Sequence, residues 1–321
     1  MAFHRTFRPS LLFLLTVAAC GGDSTQPENE LPPVVDRHAA IPADVQKVAP
    51  EDDLFPPILH SDEFQDPVPL PVISTAGGED APFIYQDELY FFFAADIRDE
   101  PSIQVQDPVN GIWVSRRVGG TWQEPELVWL QDYDELALNG CPWVGWNQML
   151  FCTARAGLTG LHWFQAERPW EGPGAHHWGN WGMVTFPAEL DVGELHVHGD
   201  QLFFGSPRSG GEGGQDIWMA TRVGAEWTDP VNIGAVNTGV DETRPYVTPD
   251  GSELWVTRLH EGTPAIVRSK KVGGQWQEGE LIVSRFAGEP TLDAQGNLYF
   301  VHHFYDDGVM LEVDIYVAYR K

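Results

Sequence analysis

The sequence predicts an all-β protein, and three observations support this fold class. The 321 residues include 13 Trp, 8 Tyr and 17 Phe, and aromatic side chains favour strands over helices. Gly (33 residues) and Pro (25 residues) are frequent enough to separate many short strands by tight turns. No long stretch repeats its apolar residues at the 3.6-residue period of a helix. We therefore expect one β domain over residues 60–321.

The first residues have the pattern of a bacterial export signal. Arg5 and Arg8 precede the apolar run LLFLLTVAA, which is too short for a stable membrane span. The next four residues, Val17-Ala18-Ala19-Cys20, resemble the lipobox of bacterial lipoproteins, and this resemblance implies cleavage before Cys20 and lipidation of that residue. Residues 1–19 are thus a predicted lipoprotein signal peptide, with an ordinary secretory signal as the alternative. The expected location is the bacterial cell envelope, at the outer membrane or on its periplasmic face, with the lipid as the membrane anchor.

Residues 20–59 are predicted to be a flexible tether between Cys20 and the domain. They contain many Pro, Gly and acidic residues and almost no periodic apolar pattern. The whole chain carries a formal net charge of -28 at pH 7. Such a charge repels phosphate backbones, which argues against nucleic acid and favours cationic groups or metal ions as partners.

Internal repetition is the strongest fold signal after the tether. Segments of about 50 residues recur, each with a hairpin, a third strand and a closing strand that begins with an aromatic residue. The last two strands are recognisable in GIWVSRRVGGTWQEPELV (111–128), DIWMATRVGAEWTDPVNI (216–233) and AIVRSKKVGGQWQEGELI (265–282). Four antiparallel strands in about 50 residues are typical of a β-propeller blade. The domain then holds five blades, with a degenerate sixth as the alternative.

The two ends of the domain are predicted to share one blade. The last repeat, DIYVAYRK (314–321), stops after its third strand. FQDPVPL (64–70) has the pattern of the missing fourth strand, although it lies at the front of the domain. An N-terminal strand that completes the last blade would close the ring without an open sheet edge. We expect a monomer.

Parts of the repeats point to a known family. TPDGSELWVTR and DIWMATRVGAEWTDPVNI resemble the WD40-like (PD40) propeller repeats of TolB-like exported bacterial proteins. The resemblance covers the third to fifth repeats well, the first fairly and the second least, because the second lacks the Asp-Gly turn. It implies a β-propeller and says little about activity, since this fold hosts many functions.

Polar residues recur where each first strand begins, and in a propeller these positions meet at one mouth of the central channel. A carboxylate or amide stands there in all five repeats, and Arg244 lies beside them: Glu79, Asp80, Asn139, Glu194, Asp241, Glu242 and Glu289. Like charges crowded at one mouth are expected to raise some pKa values. The alternative is that these residues form salt bridges and turn hydrogen bonds between blades.

His196 and His198 alternate with Glu194 and share one face of a strand. Imidazole and carboxylate suit a divalent cation, so a metal site is one interpretation and a hydrogen-bonded cluster between blades is the other. No other cofactor is predicted.

Cys141 and Cys152 flank a predicted hairpin turn at Trp146-Asn147, which would place them opposite each other. In an exported protein a cross-strand disulfide is one interpretation, and two buried free thiols are the other.

Two functions fit these features. The first is a non-catalytic recognition module, tethered to the membrane, whose acidic mouth binds an envelope protein, a glycan or a cation. The second follows from a resemblance to the five-bladed arabinanase and xylosidase group, which implies a glycoside hydrolase with Asp80 as base, Glu194 as acid, and Glu242 or Glu289 as a third carboxylate. Asn139 departs from that pattern, because it stands where a third acid would be expected in the second repeat.

Overall fold

The computed structural model describes residues 35–168 and 178–321, and within them the fold is all-β, as the sequence predicts. The described helices are α1 (Arg37–Ala40), α2 (Pro101–Gln104) and the 3-10 turns Pro50–Asp52 and Ala188–Leu190. None of them has the length and apolar character needed to cross a bilayer. The predicted signal peptide and the lipidated residue Cys20 lie outside the described residues.

Short strands make up about half of the described chain. The second strand of each repeat is buried along most of its length, because neighbouring repeats cover it. In chain order the strands are β1 (Ile58–Leu59), β2 (Val68–Pro69), β3 (Gly78–Tyr85), β4 (Glu88–Ala94), β5 (Gly111–Val118), β6 (Thr121–Trp122), β7 (Glu126–Leu127), β8 (Ala137–Val144), β9 (Gln148–Arg155), β10 (His162–Glu167), β11 (Gly179–Met183), β12 (Leu195–His198), β13 (Gln201–Ser206), β14 (Asp216–Val223), β15 (Glu226–Trp227), β16 (Val231–Asn232), β17 (Glu242–Val247), β18 (Glu253–His260), β19 (Thr263–Val272), β20 (Gln275–Trp276), β21 (Glu280–Ser284), β22 (Ala287–Leu292), β23 (Leu298–Asp306) and β24 (Val309–Ala318).

One antiparallel order recurs five times along the described residues. A first strand pairs with a second, the second with a third, and the third with a fourth. We name these groups unit 1 (β3, β4, β5, β7), unit 2 (β8, β9, β10, β11), unit 3 (β12, β13, β14, β16), unit 4 (β17, β18, β19, β21) and unit 5 (β22, β23, β24, β2). The first strands also contact one another in a cycle: β3 with β8, β8 with β12, β12 with β17, β17 with β22, and β22 with β3.

The fourth strand of unit 5 comes from the front of the domain. Val68 pairs with Val317, and Phe64 forms a bridge with Arg320. The segment FQDPVPL therefore lies beside the C-terminal strand, which is the pairing that its sequence pattern suggests.

The repeated Trp lies in the two-residue strand just before the closing strand and packs on a neighbouring unit. Trp122 of unit 1 makes an edge contact with Tyr299 of unit 5, with ring centroids 6.0 Å apart. Trp276 of unit 4 makes the same kind of contact with Phe203 of unit 3, at 6.3 Å. Large aromatic rings bury much apolar area at these junctions, which accounts for a Trp at this place in the repeat.

Residues 35–59, called the N-terminal strap below, are packed against the domain, so the prediction of a flexible tether is wrong for them. Arg37 is 1% exposed, and its guanidinium donates to a backbone carbonyl over 2.6 Å. Lys47 forms ion pairs with Glu312 and Asp314 of β24, and β1 pairs with β21 of unit 4. These attachments are single charged residues and a two-residue strand, which leave no periodic apolar pattern in the sequence.

Candidate functional site

The first strands of four units carry a β-bulge at the same place. Around each bulge one residue has a left-handed backbone and precedes Pro: Ala81 (φ 49°), Cys141 (φ 51°), Arg244 (φ 51°) and Glu289 (φ 56°). Left-handed φ is uncommon for residues other than Gly, and a bulge re-aims the side chain that it carries. All four residues line one cavity.

This cavity lies among the five first strands and has a volume of about 230 Å³. In unit 3, where no Pro follows, Glu194 stands directly before β12 and also lines the cavity. The charged residues of the lining are Asp80, Glu194, Arg244 and Glu289, and most of the remaining lining is apolar or aromatic. The structure therefore brings together four of the residues that the sequence assigns to the mouth.

Arg244 joins two of the three carboxylates. Its Nη2 atom lies 3.0 Å from Oε1 of Glu194, and its Nε atom lies 2.6 Å from Oε1 of Glu289. Burial alone would lower the pKa of Arg244, but the carboxylates of Glu289, Glu194 and Asp80 raise it above its ordinary range. The guanidinium is therefore a permanent positive charge at the cavity wall.

Glu289 is a strongly perturbed acid, with a side chain that is 12% exposed. Burial raises its pKa, Arg244 opposes this effect, and the charges of Asp80 and Glu194 raise the pKa further. The outcome is a pKa well above the usual value of a glutamic acid, and the side chain also hydrogen-bonds to Asp80. Glu289 consequently keeps its proton at a pH where an ordinary carboxyl has lost it.

Aromatic rings gather around His196 beside the carboxylates. The ring centroid of His196 lies 5.0 Å from that of Tyr246, 5.9 Å from that of Phe83 and 6.5 Å from that of Trp143. Burial lowers the pKa of His196 to about 3, so the imidazole is neutral near pH 7. Its surroundings are those of a packed core histidine.

The interpretation of His196 and His198 as a metal site, which is one of two that the sequence allows, has no counterpart among the described residues. His198 lies with its Nε2 atom 3.2 Å from the carbonyl oxygen of Pro249. Across residues 35–168 and 178–321, no group of three or more His, Cys, Asp or Glu side chains is placed to hold a metal ion.

Unit 2 gives the cavity an apolar side. Cys141 and Cys152 form a disulfide with their Cα atoms 5.5 Å apart, and both residues line the cavity together with Leu138. The register differs from the expected one, because Gly140 and not Cys141 pairs with Cys152. The bulge at Cys141 causes this shift by inserting one extra residue into the strand.

Glu79, Asn139 and Glu242 do not line the cavity, so their predicted place at the mouth is corrected. Glu79 accepts hydrogen bonds from Oγ1 and N of Thr75, at 2.5 and 3.0 Å. Glu242 repeats this pattern with Oγ1 and N of Thr238, at 2.6 and 3.0 Å. Each glutamate is fully buried and holds the loop that precedes its own first strand.

Asn139 and Asp241 also have structural partners. Asn139 donates to Oε1 of Gln131 and accepts from Oγ1 of Thr153, both at 2.7 Å. Asp241 accepts a hydrogen bond from the backbone N of Gln215 at 2.9 Å, which fixes a loop of unit 3. The alternative interpretation, in which the polar residues tie the chain together, therefore describes these two positions.

Sequence reasoning missed two features of the site. The first is the role of Cys141 and Cys152 as part of the cavity wall. The second is the bulge, although the sequence carries a signal for it, since X-Pro recurs near the start of four first strands in APF, CPW, RPY and EPT. A residue before Pro is disfavoured in the right-handed helical region, so the recurrence of X-Pro at one place in four repeats indicates a shared backbone feature there.

No protein-family model and no curated protein matches this sequence. Among solved structures, the chain is similar to an α-L-arabinofuranosidase from Lactobacillus brevis, with a TM-score of 0.51 and 14% identity over 78% of this chain and 92% of that chain. An endo-arabinase from Bacteroides thetaiotaomicron matches with a TM-score of 0.45 and 16% identity, over 79% and 96% of the two chains. A putative TolB from Agrobacterium tumefaciens matches with a TM-score of 0.38 and 14% identity, over 76% and 78%. At these identities the similarity concerns the fold, which is that of the all-β propeller proteins.

Proposed function

We propose that this protein is a glycoside hydrolase built on a five-bladed β-propeller, exported and anchored through Cys20. The observation that carries the activity is Glu289, a carboxyl with a raised pKa, in contact with Asp80 and Arg244 in the central cavity. Glycoside hydrolysis needs one protonated and one ionised carboxyl on opposite sides of the bond to be cleaved.

The sheet order supports the five-bladed ring. Units 1 to 5 repeat one antiparallel order, and their first strands contact one another in a cycle that returns from β22 to β3. Val68 of the N-terminal strand pairs with Val317 of the last unit, which supports closure by the two ends of the domain. Closure of this kind would fix the five first strands around the cavity.

Each carboxyl has a proposed role. Glu289 is the general acid and gives its proton to the glycosidic oxygen as the bond between that oxygen and the anomeric carbon breaks. Asp80, which hydrogen-bonds to Glu289, holds that side chain in position and stabilises its proton. Glu194 is the base, which takes a proton from the water that attacks the anomeric carbon, and its ion pair with Arg244 orients this carboxylate. The acid is thus reassigned from Glu194, the sequence-based candidate, to Glu289, because Glu289 is the more buried of the two. The base is reassigned from Asp80 to Glu194, because Asp80 is bonded to the acid.

Replacement of Glu289 by Gln tests the proposal. We expect kcat to fall by about 100-fold or more, because general acid catalysis contributes about 10²–10⁴ to a rate. The shared fold of the arabinofuranosidase guides the choice of substrates, so sugar release is measured on arabinose-containing oligosaccharides and on a wider panel of polysaccharides. Glu194→Gln, which removes the base, should give a loss of the same order.

The matched control is Asp241→Asn, which changes a carboxylate in the same part of unit 4 that does not line the cavity. Its activity should stay close to that of the unmodified protein. If Glu289→Gln and Glu194→Gln release sugar as fast as the control, the catalytic assignment is wrong. Melting temperatures of all three variants show whether any loss reflects unfolding.

A second candidate function is the non-catalytic recognition module. The observation that favours it is the position of Arg244, whose guanidinium engages Glu194 and Glu289 together. A glycan that binds the unmodified protein without being cleaved would support recognition over hydrolysis.

A further inference from the structure

A second cavity, of about 450 Å³, opens between units 4 and 5. Gly262 borders it from the turn between β18 and β19, Pro264 from the start of β19, and Gly308 from the turn between β23 and β24. Phe55 of the N-terminal strap, Phe286 and Tyr305 form an aromatic side. Ligand pockets in proteins commonly have volumes of about 300–1,000 Å³, so this cavity is large enough for a small molecule or a sugar.

The aromatic side consists of Phe55, Phe286 and Tyr305, which we call the aromatic platform. The rings of Phe286 and Tyr305 have centroids 4.5 Å apart and an angle of 30° between their planes. Phe55 meets Phe286 edge-on at 5.7 Å, and 40% of its surface remains exposed to solvent. An exposed ring held against two others gives a rigid apolar surface at the cavity edge.

The backbone at the platform is strained. Arg285 (φ 67°) and Phe286 (φ 51°) are consecutive residues in the left-handed region, and neither is Gly. Such strain is found where the surrounding structure holds a segment for a function. Here it fixes the ring of Phe286 immediately before β22 begins.

His303 adds a polar group to the same cavity. Its Nδ1 atom lies 3.3 Å from the carbonyl oxygen of Phe286. Because a carbonyl oxygen only accepts, Nδ1 is the protonated nitrogen, and Nε2 of the neutral ring is an acceptor for a ligand hydroxyl. Burial lowers the pKa of His303, while nearby Asp80 raises it, which also places this imidazole within electrostatic reach of the catalytic cavity.

The platform and the proposed active site are linked through β22, which contains Glu289 and follows Phe286 directly. Phe286 stands three residues before Glu289. Three residues of fully extended chain span about 10 Å, and the left-handed backbone at Phe286 and Glu289 shortens this span, so the two residues lie within the length of roughly two sugar rings. A linear glycan whose cleaved bond lies at Glu289 would therefore reach the platform with a neighbouring sugar.

We propose that the aromatic platform and His303 form a subsite for a distal sugar of a linear glycan, whose apolar ring face stacks on Phe55 while a hydroxyl donates to His303. This inference rests on the proposed function for the direction of the chain. The occupant is a sugar because the cavity offers the exposed face of an aromatic ring beside hydrogen-bonding groups of His303 and Tyr305, and sugar rings present an apolar face edged with hydroxyls.

The test compares Phe55→Ala with Leu54→Ala in the full mature chain. Leu54 is the adjacent residue, is 60% exposed, and does not line the cavity, so it is a matched control. Binding of an arabinose disaccharide and of the matching pentasaccharide is measured by calorimetry in a Glu289→Gln background, which separates binding from turnover. Loss of one aromatic stacking contact should weaken pentasaccharide binding by about fivefold to tenfold.

We expect Phe55→Ala to weaken binding of the pentasaccharide only, Phe55→Trp to restore it, and Leu54→Ala to change neither ligand. Equal weakening for both ligands, or no weakening for the pentasaccharide, would overturn the subsite. Absence of any oligosaccharide binding would overturn it as well. If the unmodified protein binds the pentasaccharide through Phe55 but releases no sugar, hydrolysis is refuted and the glycan subsite stands.

Discussion

Two layers of the first strands contain the same kinds of polar residue and use them differently. The cavity layer, Asp80, Glu194, Arg244 and Glu289, surrounds an open space, and its charges contact one another. The anchor layer, Glu79, Asn139 and Glu242, is buried, and each member is bonded to nearby Thr or Gln side chains. Glu79 and Asp80 are adjacent in sequence, so the facing direction and not the residue type separates the two roles.

This difference shows that the hydrogen-bond and ion-pair partners of an acidic residue determine its role in each repeat. Glu79 and Glu242 each accept from a Thr four residues earlier in the chain, and this bond fixes the loop before the strand. Glu289 has no such Thr and instead lies in the cavity beside Arg244 and Asp80. Variants of the anchor layer should therefore act on stability, and variants of the cavity layer on activity.

The largest stability effect is expected for Glu242→Ala. Arg258 donates to Glu242 through Nε at 2.8 Å, and the two side chains are 15% and 0% exposed. Removal of one partner from a buried ion pair costs about 3–5 kcal/mol, because the other charge is left without compensation. The free energy of unfolding in urea measures this loss.

Glu194→Ala is the matched variant of the cavity layer. Glu194 is 33% exposed and its partner Arg244 is 37% exposed, so solvent screens the pair and the expected cost is below about 1 kcal/mol. Equal losses of unfolding free energy in the two variants would show that the two layers do not differ as described.

A somewhat smaller loss is expected for Arg37→Ala, which tests whether the N-terminal strap belongs to the folded domain. The guanidinium of Arg37 donates to the carbonyl oxygens of Ile73 and Val72, at 2.6 and 2.8 Å, and lies 3.4 Å from Glu79. Loss of these buried hydrogen bonds should lower the unfolding free energy by about 2–3 kcal/mol.

Arg98→Ala is the control for Arg37→Ala, because Arg98 is 40% exposed and its ion pair with Asp96 lies at the surface. It should change the unfolding free energy by less than about 1 kcal/mol. If Arg37→Ala behaves like Arg98→Ala, the strap is the flexible tether that the sequence predicts.

The fold could be predicted from the sequence because segments with the same strand pattern recur along it. An aromatic residue before the closing strand recurs, as does the alternation of apolar residues. FQDPVPL has the pattern of the fourth strand that the last repeat lacks. The packing of the strap could not be predicted from the sequence, because Arg37 and Lys47 are held by tertiary contacts with Glu79 and Glu312. A single basic residue in a polar segment has no local pattern that distinguishes a buried contact from a solvated one.

The candidate site was accessible in part. The start of each first strand could be located, but the sequence does not say which of Glu79 and Asp80 faces the cavity. The bulge decides this, and its effect on facing depends on where the ladder register shifts. The raised pKa of Glu289 results from burial and from the charges of Asp80 and Glu194, and Arg244 opposes it. These side chains belong to different units and meet only in the folded chain.

The last prediction concerns pH, because the stability of the folded protein should decline as the pH rises. Burial raises the pKa of Glu79 to about 8, and burial raises that of Glu312 to about 7. Between the ordinary carboxyl pKa and these values, the folded protein binds protons that the unfolded chain has released. Stability is thus fully present below about pH 4.5 and is lost as the pH rises through about 8, by up to about 1.4 kcal/mol per pH unit for each proton.

Other carboxyls do not mask this decline. A hydrogen bond from Arg268 lowers the pKa of Glu63 to about 2, so its stabilising effect is lost only in acid, below the window in question. Thermal melts between about pH 7 and about pH 9 measure the trend. This range lies above the one in which the lowered pKa of His196 makes stability rise with pH. Glu79→Gln should flatten the decline because an amide does not titrate. Asp66→Asn, which changes an exposed acid, should leave the slope as it is. A melting temperature that stays constant or rises over this range would mean that Glu79 is ionised and paired with Arg37 in the folded protein.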